Sequence, residues 1–534
     1  MHFSNRQFSQ VDFQDIQGLV RFGHGHLGGA RFILLNIADA AAARAWLDKA
    51  PVTTAANSAK ADVALQVAFT CDGLKAIGVS DDILKGFSDE FIVGMAGDRS
   101  RSRRLGDVGP NDPERWRWGR LGKVPHMMVL LYAITPERLE SREAEIKRVP
   151  WQTAFVELDR LSTDDIGGME PFGFKDGVSQ PALDWECRKA LRLHDTLDYT
   201  NLAALGEFLL GYPNEYARYT DRPLIDPKDD PERILPLSED VPGKRDFGRN
   251  GTYLVCRDLA QNVTGFWRYV DQQANGDLKQ RWDLAHAMVG RTLEGDPIVR
   301  LRPEPVDGVA TDRPAAWHNQ FTYENDPDGT SCPFGAHIRR ANPRNSDLPP
   351  DARSLIRRLV RIIGFGSKGP RDDLLSSTRF HRILRRGREY GPRLEVAGIL
   401  GDPDETGQPT SRPSDETLHA ERGLRFICLN ANICRQFEFV QTAWVANPKF
   451  DGLDERDPLL GDRAPIASRG IATDRFTRPQ DDGLNARVAG LSDFVTVRGG
   501  AYFFMPGISA LKYIARIKSG ASSSQAAEAP SGTP

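Results

Sequence analysis

The sequence predicts an α+β fold of two ferredoxin-like halves, each an antiparallel sheet with helices on its face. Three observations predict it. Apolar strand-length runs alternate with helical stretches in the order β-α-β, β-α-β, the split βαβ arrangement. The same alternation returns after residue 250. A chain of 534 residues exceeds one ordinary core, so two domains, or one built from two similar halves, is the natural expectation.

The elements follow in order. ARFILLNI (30–37) is an apolar strand and ADAAAARAWLDKA (38–50) an alanine-rich helix. VALQVAFT (63–70) and MMVLLYAI (127–134) are strands. TPERLESREAEIKRV (135–149) is a helix with Thr135 as its N-cap, and QTAFVELDR (152–160) is the closing strand. In the second half GTYLVCRDL (251–259), LRFICLN (424–430) and FVTVRGGAYFFM (494–505) read as strands. QNVTGFWRYVDQQA (261–274), NICRQFEFVQTAW (432–444) and ISALKYIARI (508–517) read as helices. Asn432 would cap the second of these, with Ile433, Phe437, Val440 and Trp444 as its apolar stripe. The expected units are 1–180, ending in a GFKDG loop, a connector 181–246, a second half 247–518, and a disordered polar tail 519–534.

Bulk properties exclude several classes. Net charge is −3, so nothing pulls the whole chain toward nucleic acid or an anionic membrane. A basic cluster between Arg339 and Arg388 includes a helical stretch, 352–363, which reads as a solvated face or a groove for an anion. The six cysteines form no CxxC pair and suit reduced thiols. No signal-like or membrane-spanning run is seen, so a cytoplasmic location with no membrane and no nucleic-acid partner is expected.

Four segments carry candidate chemistry. RFGHGHLGGA spells GxGxxG from Gly23 to Gly28, but a strand follows it, the wrong context for a pyrophosphate site; His24 and His26 lack further metal ligands. PFGFKDGVSQP places Asp176 on a loop, where a turn-closing role competes with a chemical one. In SCPFGAHIRRANPR, His337 is followed by Arg339, Arg340 and Arg344. Cations repel a zinc ion, whereas an imidazole can bind haem iron while guanidiniums hold propionates. A hydrogen-bonded structural histidine remains the first reading of that segment alone. RILRRGREYG offers Arg385 and Arg386, as a basic surface turn or as a pocket arginine that stabilises developing negative charge.

Together, GFKDG, CPFGAHIRRANPR and ILRRGREYG resemble the dye-decolorising peroxidases. Segments from DIQGLVRFGH to FVTVRGGAYFFMPGISAL are similar to family segments in family order. The resemblance implies one haem b per chain, bound between the sheet and helices of the C-terminal half. It implies oxidation of dyes, phenolic or other aromatic reductants by hydrogen peroxide through an iron-oxo intermediate. His337 would ligate the iron, with Arg339 beside the cofactor and Leu424 and Phe426 lining the peroxide-side pocket. Asp176 would carry the proton and Arg385 would polarise the O–O bond. An aspartate base remains ionised in acid, so an acidic optimum is expected. Glu438 and Gln441 are candidates to accept from the other nitrogen of His337, with a surface-facing side chain as the alternative, and Trp444, Tyr390 and Tyr502 are candidate surface relays for bulky dyes, with ordinary packing the first reading of each. The alternatives are a haem sensor or carrier, which would not need Asp176 and Arg385, and a related haem enzyme with little peroxidase turnover. The sequence leaves the oligomeric state open. The interval from His337 to Arg385 is longer than expected of fungal members, and it carries the basic stretch 352–363.

Overall fold

The computed structural model describes residues 10–56, 61–165, 167–187, 201–299, 318–346, 377–402, 410, 412–466 and 470–517. The basic stretch 352–363 and the tail 519–534 lie outside these residues.

The N-terminal half is built from β1 (Gly29–Ile37), α1 (Ala40–Lys49), β2 (Val63–Phe69), β3 (Met127–Ala133), α2 (Pro136–Ile146) and β4 (Phe155–Ser162). Its strands lie in the order β2-β3-β1-β4, all antiparallel, which is the split βαβ order the sequence predicts. Local chemistry sets the helix starts. Asp39 accepts from the Ala42 N–H at 2.7 Å, and Thr135 accepts from Arg138 ahead of Pro136 at the first helical position. The segment 152–160 differs from expectation at its start. Trp151–Ala154 forms one helical turn, and the strand begins only at Phe155. Pro150 starts that turn, and both Thr153 and Ala154 donate back to its carbonyl.

The C-terminal half contributes β5 (Thr252–Gln261), α3 (Val263–Gln273), α4 (His337–Ala341), β6 (Leu384–Arg385), β7 (Arg388–Tyr390), β8 (Gly423–Asn430), β9 (Val495–Met505) and α5 (Ile508–Ala515). β6 and β7 both pair with β8, and the order continues β8-β5-β9. The two halves therefore repeat one strand order. They join edge to edge through β9 and β2, at Phe504 opposite Phe69, into one nine-stranded sheet. Because β5 is central and covered on both faces, all ten of its residues are buried. Its charged pair survives burial by ion pairing, Arg257 with Asp107 and Asp258 with Arg425.

One face of the sheet packs against the helices. The other is covered by residues of the 181–246 segment, where Leu205, Phe208 and Leu209 join Leu254, Cys256 and Phe503 in a second core. The helix expected over 432–444 begins as predicted, with the Asn432 carboxamide accepting from Arg435 N at 2.8 Å. It is wound as π-helix over Cys434–Glu438 and Val440–Val445. Wider winding of this kind recurs at functional sites because it re-aims side chains. Among the described residues no helix is long and apolar enough to cross a membrane.

Candidate active site

A deep cavity opens on the helix-covered face of the C-terminal half-sheet. Alternation along the strands supplies one wall: Leu259 and Gln261 from β5, Leu424 and Phe426 from β8, and Val495 from β9. Phe437, Val440, Gln441 and Trp444 from the π-wound segment supply part of the opposite wall. Asp176, Arg385 and His337 also line this one cavity, although 161 positions separate Asp176 from His337 in the sequence.

The Asp176 loop is held from below by a buried carboxylate. Glu170 N donates to Phe174 O, and Gly173 N donates to Glu170 O, both at 2.8 Å. Glu170 Oε1 accepts from Phe174 N at 3.0 Å, while Oε2 accepts from Phe172 N at 3.1 Å and Gln261 Nε2 at 2.8 Å. Gly173 and Gly177 sit at φ +99° and +74°, the left-handed region that a side chain would strain, so the Gly spacing is a backbone requirement. Burial pushes the Glu170 carboxyl up to about 7.

Asp176 Oδ1 accepts from Arg385 Nη1 at 2.8 Å. The two side chains are 30% and 33% accessible despite their depth, because they face the cavity. Burial raises the Asp176 pKa, but the Arg385 charge, the Gly177 N–H and the Arg385 hydrogen bond outweigh it and hold the carboxyl below its ordinary value. Strand alternation selects which arginine does this. Arg385 faces the cavity, with its own N–H on Gln180 Oε1 at 3.0 Å. Arg386 faces away and donates to Leu19 O and Val20 O at 2.8 and 2.9 Å.

His337 opens α4, and its Nδ1 lies 2.8 Å from Asp457 Oδ2. An imidazole that donates from Nδ1 keeps the lone pair of Nε2 for a metal. Asp457 is fully buried, and its Oδ1 accepts from Leu459 N at 2.9 Å and Leu460 N at 2.8 Å. Burial would lower the His337 pKa; the Asp457 charge and hydrogen bond reverse this and make the ring more basic. Asp457, not Glu438 or Gln441, is thus the partner of His337. Glu438 Oε1 takes the Tyr502 hydroxyl at 2.8 Å and Arg101 at 3.0 Å, and Gln441 donates to Leu105 O at 2.9 Å.

No family model matches the chain. It is 28% identical to the dye-decolorizing peroxidase msp1 of Mycetinis scorodonius over 94% of this chain and 88% of that one. It is 28% identical to the multifunctional dye peroxidase DyP2 of an Amycolatopsis species, over 84% of this chain and 81% of the relative. The solved dye-decolorizing peroxidase of Auricularia auricula-judae superposes with a TM-score of 0.67 at 24% identity, covering 95% of this chain and all of that one. Over nearly its whole length the chain is similar to dye-decolorising peroxidases.

The structure relocates one sequence-predicted residue. Arg339, expected beside the cofactor, does not line the cavity. It is 2% exposed and lies between the Tyr323 and Phe334 rings, donating to Asp326 Oδ2 at 2.9 Å and to Cys332 O at 2.6 Å. A helix sends residues two apart to different sides, so Arg339 cannot share the direction of His337. Arg339→Met should remove the guanidinium and strand Asp326, lowering unfolding free energy by about 3 kcal/mol in a denaturant titration. Loss of cofactor at unchanged stability would return Arg339 to the site.

Among the described residues the arginines that line the cavity are Arg291, Arg344 and Arg382, besides Arg385. Arg344 closes the NPR run that follows His337 and is the one of the three arginines named there that lines the cavity. It reaches Asn319 O and Phe321 O at 2.9 Å and Ser179 Oγ at 3.2 Å. Burial, then the neighbouring charge of Arg344, pulls Arg291 down to about 10. Close buried cations facing a cavity suit a ligand with anionic groups at one edge. The three aromatics expected as surface relays are all buried: Trp444 lines the cavity, the Arg425 guanidinium lies 3.6 Å from the Tyr390 ring centroid, and Tyr502 bonds Glu438. Sheet and helix packing, invisible in a local motif, put them inside.

Proposed function

We propose that this protein is a haem peroxidase that reduces hydrogen peroxide at the expense of dyes, phenols or other aromatic reductants. The observation that carries the reading is one cavity holding two oppositely built poles. The Asp176–Arg385 pair is one pole, and the His337–Asp457 pair is the other. A haem sensor or carrier would need only the second. One relative's solved structure is a complex with 2,6-dimethoxyphenol, which supports a phenolic reductant.

The lining suits haem b, one per chain. Leu259, Leu424, Phe426, Phe437 and Leu459 offer apolar walls to a flat macrocycle. Arg291, Arg344 and Arg382 offer cations for two propionates. His337 Nε2 is the iron donor, and the bound iron would supply the centre at which peroxide is cleaved.

The chain's own residues do the rest. Asp176, kept ionised by Arg385, takes a proton from the near peroxide oxygen and returns it to the far one, which leaves as water. Arg385 stabilises the charge that develops as the O–O bond parts. Asp457 fixes the His337 ring and strengthens its donor nitrogen. Gln180 positions the Arg385 backbone and Glu170 the Asp176 loop.

The test is spectroscopic. Haem-reconstituted protein should show a Soret band that shifts within seconds of one equivalent of peroxide and returns when a phenol is added. A Soret band indifferent to peroxide would leave the carrier reading. Asp457→Asn should weaken haem retention about 10- to 100-fold, measured by transfer to an excess of competing haem-binding protein. Unchanged retention would remove Asp457 from the iron-side pole.

A further inference from the structure

A second carboxylate, Glu389, lies close enough to Asp176 for the two charges to interact. On β7, Glu389 pairs with Leu424 of β8. Residues directly opposite on antiparallel strands point to the same face, and Leu424 lines the cavity. Its neighbours point the other way: Arg388 donates to Leu27 O, and the Tyr390 ring lies under Arg425. The loop that ends in Asp176 is stitched to this strand. Asp164 N donates to Glu389 O at 3.0 Å, Gly391 N to Asp164 Oδ2 at 2.7 Å, and Asp176 N to Gly168 O at 3.0 Å. Glu389 is half-buried, and its carboxylate takes a hydrogen bond from its own backbone N–H.

We propose that Glu389 is the port through which Asp176 exchanges protons with solvent. The inference rests on the peroxidase reading. Reducing one peroxide to two waters takes up two electrons and two protons at a buried site. A small phenol brings both. A bulky dye that cannot enter delivers only electrons, and the protons must come through the protein. Glu389 gives its carboxyl proton, through water, to ionised Asp176, and the Glu389 carboxylate is then reprotonated from bulk. No other reactant is consumed.

The electrostatics suit the task. The charged groups acting on Glu389 are Asp176 and Asp165 from the loop and Arg388 from its own strand; the facing residue on β8, Leu424, is uncharged. Burial, then the Asp176 charge, pushes Glu389 up to about 7, while Asp176 is held low. A carboxylic acid that stays protonated toward neutrality stands beside a carboxylate that must be refilled. Glu170 also titrates high but is saturated by the bonds that hold the loop.

The experiment compares haem-loaded wild type, Glu389→Gln and Glu389→Asp with two reductants. Ferrocyanide supplies electrons only, and 2,6-dimethoxyphenol supplies electrons and protons. Glu389→Gln should lower ferrocyanide turnover roughly tenfold at about pH 6. It should leave phenol turnover and the first reaction with peroxide within about twofold, since that reaction consumes no net proton. Glu389→Asp should restore most of the ferrocyanide rate. In infrared difference spectra two carboxyl groups, Glu389 and Glu170, should hold protons toward neutrality, and the protonated-carboxyl absorbance should fall by one group in Glu389→Gln. Equal loss with both reductants, or no loss with either, would overturn the port. Failure of the wild type to react with peroxide would sink the peroxidase reading instead, while the infrared band still reports whether Glu389 holds a proton.

Discussion

Asp176→Asn is expected to slow the reaction with hydrogen peroxide by roughly 10²- to 10⁴-fold while haem binding is retained. Asparagine keeps the shape of the side chain and can still accept from Arg385 Nη1, now 2.8 Å from the carboxylate. The loop is held by backbone bonds and by Glu170, neither of which the substitution touches. What is lost is a group that can take a proton and give it back. Stopped-flow mixing with peroxide reads the rate directly, and the Soret absorbance before mixing reads haem content. A rate within about twofold of wild type would move the proton transfer to another group, with Glu170 next to be tested.

Arg385→Leu is expected to cost about 10²- to 10³-fold in the same reaction, and to change its pH dependence in a defined direction. In the wild type the Asp176 pKa is depressed, so ionisation of Asp176 favours the folded state above the unfolded value near 3.8, and that contribution is lost as pH falls through the folded pKa. The depression comes from the Arg385 charge and hydrogen bond, set against burial. Without Arg385, burial is left to dominate and the Asp176 pKa rises. The acid limb of the residual peroxide reaction should therefore move to higher pH, and the variant should lose activity in acid where the wild type still works. An acid limb that stays in place would mean Arg385 is not what holds Asp176 ionised. The double variant with Asp176→Asn should be hardly slower than the worse single one, because the two side chains act as a unit.

The segments differ in what they disclosed. GFKDG, with its two glycines, announced a strained loop around an acid, and the left-handed angles at Gly173 and Gly177 are the reason for that spelling. His337 and Arg385 were legible through their motifs, and they line one cavity with Asp176, Leu424 and Phe426. Arg339 was misread because proximity in sequence to His337 suggested proximity to a ligand. Two residues along a helix, roughly half a turn, sent it to Asp326 instead. Asp457 carried no signal at all. It lies 120 residues beyond His337, in a stretch with no regular element, and only the fold brings Nδ1 and Oδ2 to 2.8 Å. Glu389 looked like one more charge in a basic run.

The residues expected to cleave a peroxide bond came from the likeness of three motifs to a family. By itself the sequence determined the repeated βαβ order and most strand and helix positions. These follow from periodicity and turn chemistry, which act over a few neighbours. The tertiary structure alone decided which of Arg385 and Arg386 faces the cavity, which acid supports His337, and which arginines could hold propionates. It also decided that three supposed surface aromatics are buried. Each of these is a contact between residues far apart in the chain, set by strand register and by which face each element buries, and no local pattern encodes such a pairing.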